Sequence, residues 1–268
     1  MRPEDIELHS KDMSELLATP YHKHHPQNPF NAFDAQEIKM PDKAPDPCTF
    51  VCVLSWTKYM ELNRVGWESI IAGWKLALSI NYPKAFILDA NVRPLQDHRM
   101  FPVQNYCTLA RLRKSLRGNI AVVEADVVAN APTNPFENDF DVGLTESSAL
   151  WPLMPFNGGV VFLKDTPGAQ KYMDTIVDYM MEFPGNADNW YIPQIAMYAA
   201  WNALKNEVNF KIFPSDMYNY VPEIFAPTDA YFVHLKGEHR KKLQRDYVLP
   251  LIEKQKKAAV GKIQVVKS

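Results

Sequence analysis

The chain is short of cysteine, of glycine in one telling place, and of long apolar runs, and each shortage excludes something. Cys48, Cys52 and Cys107 are its only thiols. Any pairing among three leaves one over, and none stands in a Cys-x-x-Cys spacing, so a disulfide scaffold is not expected. They read as small buried apolar side chains, and a reducing, cytoplasmic compartment fits them. The longest apolar runs are strand-sized, too short to cross a bilayer. Met1 to Met13 is acidic and polar, without the basic-then-apolar order of a secretory signal. The formal net charge of −2 offers no general basic surface for nucleic acid. Finally, Leu54-Ser55-Trp56-Thr57-Lys58, which follows the first expected strand, holds no glycine, so a phosphate-cradling loop is not expected there.

What remains is ordinary for a soluble globular enzyme: 268 residues, 47% hydrophobic and 22% charged, enough for a substantial core. Residues 1–47 hold six prolines between Pro20 and Pro47 and read as an extended, partly irregular arm. His22, His24 and His25 in that arm read as solvated. Residues 48–250 carry an α/β pattern, and 251–268 form a Lys-rich basic tail.

Within the α/β region, Thr49 to Leu54 is a continuous apolar run of strand length, as expected for a strand covered on both faces. Trp67, Ile70, Ile71, Trp74 and Leu78 follow at helical spacing. Ala85 to Leu88 is a second strand, Tyr106 to Leu116 a second helix stopped by Gly118-Asn119, and Ile120 onward a third strand. Strand alternating with helix predicts a mostly parallel sheet with crossover helices. Further on, the expectations are a short strand at Asp141–Thr145 and a tight turn at Phe156-Asn157-Gly158-Gly159 leading into Val160–Leu163. A helix opens on the cap Thr166-Pro167, another runs from about Tyr191 to Asn206, and a last strand covers Tyr231–His234.

The run Ile120 to Val128 carries the chemistry. Read as one strand, it puts Glu124 and Asp126 on the same face with Ala125 opposite. Two carboxylates at the carboxyl end of a core strand are costly to desolvate unless something positive lies beside them. A divalent cation with oxygen ligands answers that need and suits a diphosphate. In open α/β sheets ligands bind beyond the carboxyl ends of the strands, where this pair falls. A solvent-facing acidic pair is the alternative.

Four features occur in order: Glu124-Ala125-Asp126, Phe156-Asn157-Gly158-Gly159, Asp188 to Gln194, and His234-Leu235-Lys236-Gly237-Glu238-His239-Arg240. Over about residues 49–245 this set resembles nucleotide-sugar glycosyltransferases of the GT-A fold, closest to the glycogenin-like retaining group. The resemblance implies a Rossmann-like, mixed but mostly parallel sheet flanked by helices. It implies transfer of a sugar, with retention, from a nucleoside diphosphate sugar (a UDP-sugar favoured) to an acceptor it does not identify. Asp126 matches the family's main metal ligand, and Glu124 stands where the family usually has its first Asp. His234 matches the third ligand, whose imidazole suits Mn²⁺ better than Mg²⁺. Gly237 would let backbone approach the phosphates. Arg240 replaces the family's Lys with a planar fork, and Lys236 and Lys241 would assist. Asn157 with Gly158-Gly159 would orient donor sugar or acceptor, and Asp188 and Gln194 correspond to contacts on the sugar.

Competing readings stand beside these. Asp188 is also a natural helix cap, His234 a strand-end histidine, and Asn157-Gly158-Gly159 a plain turn. Arg111, Arg113, Lys114 and Arg117 fit a solvated helix face better than a diphosphate-facing patch. Asp141 either contacts an acceptor or terminates a loop. The two other functions kept open are a nucleotidyltransferase on a related sheet, disfavoured by the glycine-free loop, and a non-catalytic nucleotide-sugar-binding module.

Overall fold

A computed structural model describes residues 44–55, 64–92, 101–147, 154–182, 192–222 and 228–235. Most of the arm, the whole basic tail, and Asp188, Lys236, Gly237, Arg240 and Lys241 lie outside the described residues.

The described chain builds a six-stranded sheet from β1 (Thr49–Ser55), β2 (Phe86–Val92), β3 (Ile120–Val123), β5 (Val142–Glu146), β6 (Phe156–Leu163) and β7 (Phe210–Phe213). Their spatial order is β2-β1-β3-β6-β5-β7. β1 runs parallel to both β2 and β3, and β5 parallel to β7, while β6 is antiparallel to β3 and β5. One strand is therefore reversed in an otherwise parallel sheet. A second, two-stranded sheet pairs β4 (Val127–Ala129) with β8 (Phe232–His234).

Alternation along the central strands explains why the sheet is buried on both sides. Phe50, Cys52 and Leu54 of β1 face one core, with Ala121 and Val123 of β3 and Val160 and Phe162 of β6. Val51, Ile120, Val122, Val161 and Leu163 face the other. The first core is covered by α1 (Arg64–Asn81), whose Ile70, Ile71, Trp74, Ala77 and Leu78 form one buried stripe at helical spacing. The second is covered by α2 (Phe101–Ser115), α3 (Pro167–Glu182) and α4 (Ile192–Leu204). α3 starts where Thr166 and Pro167 predict: the Ala169 N–H donates to Thr166 Oγ1 at 3.2 Å, a cap worth about 1 kcal/mol. A one-turn helix, α5 (Ser215–Tyr218), precedes β8.

The chain leaves β1 for β2 on one side and returns past β1 to β3 on the other. In sheets of this kind ligands usually bind at such a reversal, at the carboxyl ends of the strands, here those of β1 and β3.

Two local expectations need correction. Ile120–Val128 is not one strand: β3 ends at Val123, Glu124 to Val127 form a turn closed by Val127 N–H to Glu124 O at 2.9 Å, and β4 belongs to the other sheet. Strand alternation therefore does not set the two carboxylates. Likewise Phe156-Asn157-Gly158-Gly159 is not a turn before a strand but the first half of β6. The pairing slips there, from Leu144 opposite Val161 to Thr145 opposite Asn157. The Thr145 hydroxyl lies 3.1 Å from Asn157 O and 2.9 Å from Val160 O, closing that irregularity from inside. Bulges of this kind re-aim residues beside functional sites.

Candidate functional site

The small sheet is the device that joins distant parts of the sequence. β4 pairs with β8 so that Val127 faces His234, and the Leu235 N–H donates to Asp126 O at 2.8 Å. The backbone of the acidic turn is thus laddered to the strand carrying the histidine. From the main sheet, the Glu124 N–H donates to Gly159 O at 3.0 Å. Three segments more than thirty residues apart meet beyond the carboxyl end of β3.

Their side chains converge. His234 Nε2 is 3.6 Å from Glu124 Oε2 and 3.6 Å from Asp126 Oδ1. One ligand atom from each of the three lies within 4.8 Å of the others. Separations of 3.6 Å are too long for hydrogen bonds. They match the spacing of ligands around one ion with bonds of about 2.0–2.2 Å, which sets neighbouring ligands roughly 3–4 Å apart. The donor set, two carboxylates and one imidazole, suits a first-row divalent cation. The carboxylates differ in setting: Asp126 is almost buried at 10% side-chain exposure, whereas Glu124 is 54% exposed.

Gly159 is required by this arrangement. A Cβ there would fall 2.5 Å from His234 Nδ1 and 2.6 Å from Cε1. Only a residue without a side chain lets the imidazole lie against β6. The Gly159 N–H in turn donates to Asn157 Oδ1 at 2.8 Å. Asn157 thus reaches the same place, but its carboxamide oxygen holds the irregular segment of β6 in shape.

On its far side His234 meets Asn219, a residue the sequence reading did not single out. His234 Nδ1 and Asn219 Oδ1 are 2.9 Å apart, and both side chains are buried. No local pattern marks Asn219, because the contact arises only when the segment after α5 folds against β8. Cys52 of β1 also lies close: burial first, then Glu124 and Asp126, push its thiol well above the usual range.

The remaining sequence candidates separate cleanly. Gln194 lies half-buried in the first turn of α4, one turn before Met197, whose sulfur lies beside Gly158. Among the described residues it makes no hydrogen bond to Glu124, Asp126 or His234. The placements of Asp188, Lys236, Gly237 and Arg240 lie outside the described residues. Arg113 departs from the solvated helix face expected of it. It is buried and bonds Leu116 O, Gly118 O and Asp165, at the opposite edge of the sheet. Arg111, Lys114 and Arg117 are exposed. Asp141 is structural too, accepting the Asn209 N–H at 3.0 Å beside β5. All three cysteines are free and buried.

No protein-family model matches the sequence, and no curated protein matches it significantly. Solved structures do match. A glycosyltransferase involved in glycosylation of the major capsid of PBCV-1 superposes with a TM-score of 0.56 at 14% identity, over 75% of this chain and 98% of that one. The glycosyltransferase GlyE of Streptococcus pneumoniae gives a TM-score of 0.52 at 10% identity, over 81% of this chain and 64% of its own. At such identities the likeness concerns architecture. The protein has the mixed, mostly parallel, helix-flanked α/β fold of the GT-A glycosyltransferases.

Proposed function

We propose that the protein is a metal-dependent glycosyltransferase that moves a sugar from a nucleoside diphosphate sugar to an acceptor. The observation that carries this reading is the meeting of Glu124, Asp126 and His234 beyond the carboxyl end of β3 in a sheet with this topology. Asp126 and His234 would hold a Mn²⁺ or Mg²⁺ ion, with the imidazole favouring Mn²⁺. The exposed Glu124 would complete the set directly or through water. A bound divalent cation neutralises the diphosphate as charge develops on it in the transition state.

The protein's own groups do the rest. The backbone of Asp126 is held by its bond to Leu235, which ties the carboxylate's point of attachment to the strand that carries His234. Lys236, Gly237 and Arg240 come after Leu235 in the sequence, and Lys236 and Arg240 would bind the diphosphate oxygens. Asn157, Asp188 and Gln194 would position the sugar or acceptor, a contribution that is mainly orientational. The glycogenin-like resemblance favours a UDP-sugar and retention of configuration. Three free buried thiols suit a reducing, cytoplasmic setting, and no helix among the described residues is long and apolar enough to cross a membrane.

A donor-hydrolysis and transfer screen across uridine- and guanosine-linked sugars tests this, run with Mn²⁺ and with a chelator. Turnover should require the metal. Asp126→Asn should reduce it by roughly 10²–10³-fold, the loss typical when a group stabilising transition-state charge is removed, with the fold intact by circular dichroism. Metal-independent turnover, or an Asp126→Asn variant as active as the parent, refutes the reading. Donor binding without any turnover favours a non-catalytic binding module instead.

A further inference from the structure

We propose that Asn219 is a positioning residue for this centre: its carboxamide oxygen fixes His234 in the tautomer that leaves Nε2 bare for a divalent cation. The inference rests on the metal-dependent reading above and adds a residue to it.

A neutral imidazole has one N–H, and the partner of one ring nitrogen decides the state of the other. Nδ1 lies 2.9 Å from Asn219 Oδ1. With the proton there, Nδ1–H donates to the amide oxygen and the Nε2 lone pair points toward Glu124 and Asp126. A lone pair aimed at two carboxylates 3.6 Å away is repulsive with nothing positive between them, and favourable around a cation. The opposite tautomer would place N–H on Nε2, too far from either carboxylate for a hydrogen bond. Metal-bound histidines commonly donate their second N–H to a carbonyl or carboxylate, which sets ring orientation and raises ligand basicity.

A plain packing role does not explain an asparagine at this position. Asn219 is fully buried, and among the described residues its Nδ2 has no hydrogen-bond partner. Leaving a buried donor unsatisfied is unfavourable, and leucine would fill similar space without it. What leucine cannot supply is the oxygen at Nδ1.

The surrounding backbone holds the pair as one unit. Asn219 ends α5, with its N–H donating to Ser215 O at 3.0 Å. The next residue is tied to β8 from both sides, Tyr220 N–H to Phe232 O at 3.0 Å and His234 N–H to Tyr220 O at 2.7 Å. The Tyr218 and Tyr231 rings pack 5.1 Å apart beside it. Gly159 closes the other side of the imidazole. Packing therefore fixes where the ring lies, and Asn219 alone fixes which nitrogen carries the proton.

The test is Mn²⁺ binding by the full chain without nucleotide, followed through the paramagnetic resonance of free Mn²⁺. Asn219→Leu should weaken binding roughly 10–100-fold, the usual effect of losing a partner behind a metal-bound histidine. Asn219→Asp, which can only accept from Nδ1–H, should bind as tightly as the parent or more so. Long-range proton–nitrogen NMR of the metal-free parent should show His234 protonated at Nδ1. A leucine variant within threefold of the parent overturns the proposal, as does an aspartate variant weakened as much as the leucine one, or a proton found on Nε2. If the leucine variant does not fold, the aspartate variant and the tautomer signal decide. A parent protein that binds no Mn²⁺ overturns the metal reading itself, and this inference with it. Parent binding that leucine leaves untouched removes only the role of Asn219.

Discussion

At the N-terminal edge of the sheet, Arg113 is buried, yet its charge is absorbed locally. Its guanidinium donates to Leu116 O at 2.6 Å, Gly118 O at 2.8 Å and Asp165 Oδ1 at 2.9 Å, while Asp165 Oδ2 accepts the Gly118 N–H at 2.7 Å. At the C-terminal edge, Glu124, Asp126 and His234 approach one another at distances that make no hydrogen bonds among them. The first cluster joins the end of α2 to the segments before β3 and after β6, and the second joins the turn after β3 to β8. One is a finished knot that locks Gly118, in its left-handed conformation with φ 81°, between α2 and β3. The other gathers like charges around a point where a cation would fit.

Gly159→Ala tests that contrast most severely after loss of Asp126 itself. The added methyl would fall 2.5 Å from His234 Nδ1, so the ring or β6 must move. Overpacking of this kind costs about 1–3 kcal/mol, and a displaced imidazole should weaken Mn²⁺ binding at least tenfold. Calorimetry and metal titration on one sample measure both. A variant with unaltered metal affinity would mean that the contact does not set the ring's place.

Arg113→Met should do the reverse. Methionine fills much of the volume but leaves the Leu116 and Gly118 carbonyls without their donor, a loss of about 1–3 kcal/mol. Asp165 is 54% exposed and stays solvated, so its lost ion pair adds little. Denaturant unfolding should show the destabilisation while Mn²⁺ affinity stays within twofold of the parent. A large change in affinity would mean that the two edges are coupled and the contrast fails.

The two edges also differ in how far sequence reveals them. The β-α-β-α-β succession was readable because apolar periodicity switches between 2 and 3.6, and Thr166-Pro167 announces α3 through local capping chemistry. Glu124, Asp126 and His234 were readable from the order of motifs, although the expected reason for the pairing, a shared strand face, was replaced by a turn. The irregular register of β6 was hidden because it depends on pairing with β5, and a run of Asn-Gly-Gly looks like a turn wherever it occurs. Asn219 and the burial of Arg113 were invisible for the same cause. Each is decided by a partner from a remote segment, Asn219 by His234 and Arg113 by Asp165, and neither leaves a periodic trace.

The smallest expected effect compares a thiol just before β1 with one inside it. Cys48 precedes β1 at the N-terminal edge, and Cys52 reaches toward the acidic turn. Burial raises both, with a further push on Cys52 from Glu124 and Asp126 and a minor one on Cys48 from Asp46. A thiol whose folded pKa is raised stays neutral in the native state. Its contribution to stability is complete below the unfolded value of about 8.5 and is lost as pH rises through the folded value. Thermal stability set by these groups should therefore be flat from about pH 7 to 8 and decline between roughly 8.5 and 10, before unperturbed tyrosines titrate. Cys48→Ala and Cys52→Ala should each flatten part of that decline while lowering stability at neutral pH, since each removes a buried sulfur. A decline left unchanged by both alanine substitutions would show that it comes from other groups.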